Sequence, residues 1–323
     1  EYSIMLPVVI SSVFGLITIG ISLRKVTGVS LFTLMAGKFS RNLLNYSLPI
    51  MFMSILGAVL HWTDVFMLGY FADPYTVGMY HPAARSAGII RMVLLSFTGI
   101  YGPIMAEMYV KQLQIEMKHV YKLVTRWITT FSFPFAIFML LYPKKVMLIF
   151  GSDFISGYPI LMILVMAALI QAIFGIGGTT LNMTGFPKIN LLNTFIGCGL
   201  NIGLNIILIP KMGALGAAIA TLCTLIFIAL IRGFQNWKFL QLTPWSWKLI
   251  KPIGAGLITI CVSYYLKPFI MPLHTILTLI CGGVVIFTVF FTILWMFGFD
   301  EDDKGLKLGI YMIFGKIKSS KNS

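Results

Sequence analysis

A charged side chain inside an apolar run long enough to cross a bilayer is costly there, so each such residue is a candidate for chemistry. Asp64, Arg85 and Arg91 are of this kind, with His61 and His81 as weaker companions. Asp64 stands seven residues before the end of its run, and Arg85 seven residues into the next. At 1.5 Å per residue both lie roughly 10 Å deep, on adjacent antiparallel helices. That spacing predicts either an Asp64–Arg85 ion pair that fixes packing, or a cavity-facing pair that rearranges, with His61 in the same coupling group. Arg91 lies roughly 20 Å deep, near the middle of the membrane, with no acid at its level in the visible sequence. Arg85 and Arg91 are about 240° apart around the helix and do not share a face. Arg85 and Arg91 are the candidate substrate-binding cations. A guanidinium at mid-depth suits a phosphate group, which it grips through two parallel hydrogen bonds; an acid elsewhere in a longer protein would satisfy Arg91 equally well.

A second constellation is rich in oxygen. Asn201 and Asn205 fall on one helix face, Thr221 and Thr224 lie near the start of the following run, and Asp64 is at comparable depth. Hard cations take several oxygen ligands, so Asp64, Asn201, Asn205 and Thr221 form a candidate Na⁺ site. The competing reading is ordinary hydrogen bonding between helices, common for Asn and Thr in membranes. Cys198, Cys223, Cys261 and Cys281 each sit in an apolar run without a CxxC pair, and read as small core residues. The acidic run Asp300 to Asp303 reads as a solvated charge run rather than a metal site.

The elements that must position these groups follow from composition. Of 323 residues, 58% are hydrophobic and 11% charged, and mean hydropathy is +0.92. Soluble domains average about 45–50% and about 25%. These values exclude a soluble globule, a disordered chain and a disulfide-stapled module. The expected fold is an all-α polytopic helix bundle. Nine apolar runs are long enough to span: 3–22, 44–71, 78–105, 120–143, 156–182, 189–209, 212–233, 248–267 and 273–298. The net charge of +14 would suggest nucleic acid in a soluble protein. Here the charges alternate instead: eighteen Lys and Arg fall in one set of connecting segments and four in the other. By the positive-inside rule the richer set, including the C-terminal tail, is cytoplasmic. The sequence opens almost directly on a span at Glu1, which predicts a missing N-terminal part with an odd number of helices.

Within the chain, Gly175 to Gly178 and Gly213 to Ala218 are dense in small residues, which lets helices approach closely. Pro49, Pro82, Pro103, Pro134 and Pro159 fall in or at the ends of runs. The stretch Glu107 to His119 carries Met108, Val110, Leu113 and Met117 among Lys and Glu and predicts an interfacial amphipathic helix.

Several stretches resemble the polysaccharide flippases of the multidrug/oligosaccharidyl-lipid/polysaccharide exporter superfamily. They are Ser47-Leu48-Pro49 with Gly57, the stretch Asp64 to Phe71 followed by Val77-Gly78-Met79-Tyr80 and Arg85, Phe150-Gly151-Ser152-Asp153, and NIGLNIILIPKMGALGAAIAT from Asn201 to Thr221. The resemblance implies fourteen helices in two six-helix lobes and a final pair, of which this chain holds helices six to fourteen. Residues 1–40 would be the last N-lobe helix with a cytoplasmic linker, 41–235 the C-lobe, 236–298 the extra pair and 299–323 a cytoplasmic tail. It implies a multi-pass protein of the cytoplasmic membrane, monomeric or working with polysaccharide-assembly proteins. Its task would be to turn a polyprenyl-pyrophosphate-linked oligosaccharide across the bilayer by alternating access, without enzymatic chemistry or a cofactor beyond Na⁺ or H⁺ coupling. The alternatives are a cation-coupled multidrug exporter of the same superfamily and an intramembrane glycosyltransferase. The enzyme would need acids at a membrane face, where the sequence offers only Asp73 and Asp153.

Overall fold

The computed structural model describes residues 41–272 and 274–298, with scattered residues between 10 and 25. The chain divides into two compact units, Glu1–Leu48 and Pro49–Ser323. In the first, the described residues are the helical ones between 10 and 25 and the opening turns of α1. The span 3–22 therefore lies mostly outside the described residues, as do the linker around 26–40 and the tail from 299 with its acidic run.

The long helices are α1 (Arg41–Phe71), α2 (Pro74–Val110), α3 (Gln114–Leu141), α5 (Tyr158–Phe174), α7 (Pro187–Met212), α8 (Ala214–Leu240), α9 (Ile250–Ile270) and α10 (Thr275–Met296). Two short ones, α4 (Pro143–Leu148) and α6 (Ile176–Met183), complete the order, with 3₁₀ turns at Ser152–Gly157 and Trp247–Leu249. Among the described residues there are eight candidate membrane spans, matching the predicted runs from 44–71 onward. The protein is a multi-pass helical membrane protein.

Prolines mark helix starts, in the first turns of α2, α4, α5 and α7. There the missing N–H costs nothing, because that group has no helical partner. The span Ser152–Met183 is interrupted at Gly175, where α5 ends and α6 begins. Between α7 and α8 the chain reverses at Gly213, whose φ of 56° favours glycine. Gly216 sits so close to the end of α7 that a Cβ there would stand 2.4 Å from the Leu208 carbonyl oxygen.

In the second unit, α2 packs on α3, α5 and α6, while α8 packs on α5, α6 and α7. The main core gathers Tyr80, Ile90, Tyr101, Met105, Tyr121, Ile128, Leu161 and Ile176. The pair α9–α10 forms a second, smaller core on α3 through Ile137, Tyr142, Ile286 and Phe290. The outward faces keep large apolar side chains such as Phe66, Leu230, Leu257 and Phe269 exposed, as a helix bundle solvated by lipid should.

Two expectations are corrected. The stretch Glu107 to His119 is no single amphipathic helix: α2 ends at Val110, Gln112 takes a left-handed conformation with φ 57°, and α3 starts at Gln114. The run expected to end at 233 continues to Leu240, so Arg232, counted among the eighteen connecting-segment charges because it stood at the end of that run, lies two turns inside the helix.

Candidate functional site

Five helices line one cavity of about 270 Å³. Each contributes a stripe set by the helical period. On α1 it runs Met53, Gly57, Leu60, His61, Asp64, and on α2 Tyr80, Ala84, Ala87, Gly88, Arg91. On α8 it runs Thr221, Thr224, Leu225, Ile228, Ala229, Arg232. α5 adds Gln171 and Phe174, and α7 adds Thr194 and Asn201. The stripes on α1, α2 and α8 each advance eleven residue steps from first to last, about three turns and roughly 16 Å.

One end is built around Asp64, which is 4% exposed. Its Oδ1 accepts hydrogen bonds from Asn205 Nδ2 at 2.8 Å and Asn201 Nδ2 at 3.3 Å. Its Oδ2 accepts from the Tyr80 hydroxyl at 2.6 Å and from the Thr221 hydroxyl. Asn205 Nδ2 also donates to Asn201 Oδ1 at 3.1 Å. All four residues of the predicted oxygen set, Asp64, Asn201, Asn205 and Thr221, are thus brought together. Tyr80 joins them and was missed by the sequence reading. Its signal was available: Arg91 lies eleven residues on, about 20° around the helix, so the two share a face. Asn205 Oδ1 is buried without a hydrogen-bond partner, an oxygen with spare capacity beside the carboxylate.

The predicted Asp64–Arg85 ion pair does not form. The salt bridge among the described residues is Lys111–Glu107. Arg85 is exposed, and the helical period gives the reason. It lies five residues beyond Tyr80, about 140° around α2, so the face that meets Asp64 turns Arg85 away. His61 lines the cavity near Asp64 but bonds none of the cluster, its ring standing edge-on to Trp62 at 5.7 Å.

The opposite end carries two cations. Arg91 is half-buried, lines the cavity and makes no hydrogen bond or ion pair with a described residue. Arg232, which the sequence reading counted as a loop charge, faces the same space. Beside it a network of amides joins α6, α7 and α8. Asn190 Nδ2 donates to the Gly178 carbonyl at 3.0 Å and to Asn182 Oδ1 at 2.8 Å. Asn236 Nδ2 donates to the Gly177 carbonyl at 3.0 Å, and Asn193 and Gln235 exchange a reciprocal pair at 2.6 and 2.9 Å. The glycines of the 175–178 stretch make room for polar side chains as well as for helix contact.

Away from the cavity, Tyr75 donates to the Asp153 carbonyl at 3.4 Å, bringing the loops of Asp73 and Asp153 side by side. Among the described residues no three His, Cys, Asp or Glu side chains cluster as a metal site, and all four cysteines are free.

Residues 2–109 match the family model described as a polysaccharide biosynthesis protein. The chain is 29% identical over 266 residues to an uncharacterized membrane protein of Methanocaldococcus jannaschii, covering 81% of this chain and 51% of that one. It is 29% identical over 224 residues to the probable low-salt glycan biosynthesis flippase Agl15 of Haloferax volcanii, covering 68% and 45%. These comparisons make the chain similar to polysaccharide-biosynthesis and flippase proteins. It spans about half the length of the curated relatives it matches. Its fold is similar to that of a solved structure described as the lipid II flippase MurJ, inward closed conformation, with a TM-score of 0.66 at 15% identity over 86% of this chain and 64% of that one.

Proposed function

We propose that the protein is a flippase for polyprenyl-diphosphate-linked oligosaccharides, carrying the diphosphate headgroup past Arg91 by alternating access. The carrying observation is a single cavity with a satisfied acid at one end and, at the other, a guanidinium with no partner among the described residues. A diphosphate crossing a low-dielectric region without partners is very costly, and charge-assisted hydrogen bonds from Arg91 lower that cost. The flippase named among the curated relatives supports the reading.

Asp64 is the coupling group in this proposal. The residues present fit a hard cation: one carboxylate, the hydroxyl of Thr221, and the side-chain oxygens of Asn201 and Asn205, the latter lacking any donor. A bound Na⁺ would supply the positive charge that no protein cation among the described residues gives Asp64. Protonation of the same carboxylate is the other form of coupling. In either case Tyr80 and Thr221 tie the acid to α2 and α8, the helices that also carry the cavity arginines.

The orientation we propose rests on the loop charges. With Arg232 moved into a span, seventeen Lys and Arg still face four. This puts the arginine end toward the cytoplasm, the Asp64 end outward and the C-terminus inside. Tyr75→Cys on a cysteine-free background should then label with an impermeant reagent in intact cells, and labelling only after lysis would reverse the orientation.

The transport reading is tested by surface polysaccharide in a flippase-null host carrying the intact protein, with protein level checked by blot. Arg91→Ala should abolish or strongly reduce export, and Arg91→Lys should restore it only in part, because Lys keeps the charge but loses the fork. Normal export by well-expressed Arg91→Ala would remove Arg91 from the mechanism.

A further inference from the structure

Arg232 has no part in the transport step just proposed, yet it is the more firmly held of the two cavity arginines. Its Nε donates to Asn190 Oδ1 at 2.8 Å and its Nη2 to Thr194 Oγ1 at 3.2 Å. The guanidinium lies against the backbone of Gly178, where a Cβ would stand 3.0 Å from Cζ and 3.1 Å from Nη1. All of these partners are neutral, and Nη1 makes no hydrogen bond to a described residue. A buried guanidinium with neutral partners on two of its nitrogens keeps its charge uncompensated.

Its position relates it to Arg91. Tyr80 and Thr221 both donate to Asp64 Oδ2 and so stand at one level. Arg91 follows Tyr80 by eleven residues, and Arg232 follows Thr221 by eleven. Each arginine is therefore about 16 Å farther along its helix, turned by only about 20° from the residue that bonds Asp64. Both line the same cavity. Two like charges at one level of a low-dielectric space repel unless an anion lies between them.

We propose that Arg91 and Arg232 form a two-guanidinium clamp for a diphosphate, Arg232 being the pre-positioned half and Arg91 the adjustable one. The proposal rests on the transport reading for its physiological ligand, but its geometry is independent of that reading. Each guanidinium takes one phosphoryl group through a charge-assisted fork. A single phosphate occupies only one of them, so the clamp discriminates by length. Asn190 and Thr194 act as positioning residues, holding the Nε and Nη2 edge so that Nη1 stays available.

The test is binding of inorganic pyrophosphate and of orthophosphate to the intact protein in detergent, by calorimetry or thermal shift. Wild type should bind pyrophosphate at least about tenfold more tightly than orthophosphate. Arg232→Gln should lose about tenfold or more in pyrophosphate affinity and with it the discrimination, while Arg232→Lys should fall between. A folded Arg232→Gln protein that keeps the wild-type preference would overturn the clamp, as would equal affinity of wild type for the two anions. Should Arg232→Gln fail to fold, Arg232→Lys with unchanged pyrophosphate affinity would overturn it instead. A merely structural role for Arg232 would lower the melting temperature and leave the preference intact. Loss of the preference in Arg232→Gln with normal export in the flippase-null host would leave the clamp standing and sink the transport reading. Loss of export with the preference intact would do the reverse.

Discussion

The two ends of the cavity use the same materials to opposite effect. Around Asp64, two asparagines and two hydroxyls fill both carboxylate oxygens. Around Arg232, an asparagine and a threonine hold two nitrogens and leave the third open, and Arg91 has no protein partner at all among the described residues. A carboxylate accepts about four hydrogen bonds, so the acid end is complete as it stands. The basic end is incomplete by design of its geometry, because a fixed guanidinium edge facing a cavity is satisfied only by something that enters. The difference teaches what each end can take: the acid end is complete in hydrogen bonds but has no described protein cation to balance its charge, so it calls for a cation or a proton, whereas the basic end lacks both bonds and counter-charge and calls for an anion.

The largest effect is expected from Asp64→Asn. The amide keeps the volume but turns one acceptor into a donor that faces Tyr80 and Thr221 or Asn201 and Asn205. Breaking charge-assisted hydrogen bonds in a buried cluster costs roughly 2 kcal/mol, visible as a lower melting temperature of the intact protein. Under the transport reading export is lost as well. An Asp64→Asn protein as stable as wild type would show that the four hydrogen bonds carry no net stability.

Next comes Asn190→Leu. It removes a donor from the Gly178 carbonyl and the acceptor of Arg232 Nε, for about 1 kcal/mol of stability and a freer guanidinium. If pyrophosphate affinity were unchanged, the network would have no positioning role.

The smallest effect belongs to Arg85→Gln. Arg85 is exposed and bonds nothing in the cluster, so its substitution should change stability by less than about 0.5 kcal/mol. In a double-mutant cycle it should add independently to Asp64→Asn. A coupling energy clearly above zero would restore the ion pair that the geometry excludes.

Much of this was legible in the sequence, and the misses have one physical origin. Apolar run length places spans well, because the bilayer demands about twenty residues, and eight runs reappear as spans with ends that differ by up to seven residues from those expected. Depth counting brought Asp64, Asn201, Asn205 and Thr221 to one level, which is where they meet. Depth gives height but not azimuth, so Arg85 was paired with Asp64 on level alone when its side chain faces the other way. Tyr80 was overlooked because a tyrosine near a span end reads as an interfacial anchor until its eleven-residue spacing to Arg91 is noticed. Arg232 was miscounted because hydropathy falls at a basic residue whether or not the helix stops there, and α8 continues for two more turns. The break at Gly175 has no charge or proline to mark it.

The central claim is that the two ends serve different ligands, and a crossed thermal-shift measurement tests it most directly. The intact protein, Asp64→Asn and Arg91→Gln are each melted with and without Na⁺, and with and without inorganic pyrophosphate at constant ionic strength. The account predicts that Asp64→Asn loses the Na⁺ shift and keeps the pyrophosphate shift, while Arg91→Gln keeps the first and loses most of the second. A Na⁺ shift that survives in Asp64→Asn, or a pyrophosphate shift that survives undiminished in Arg91→Gln, would contradict it.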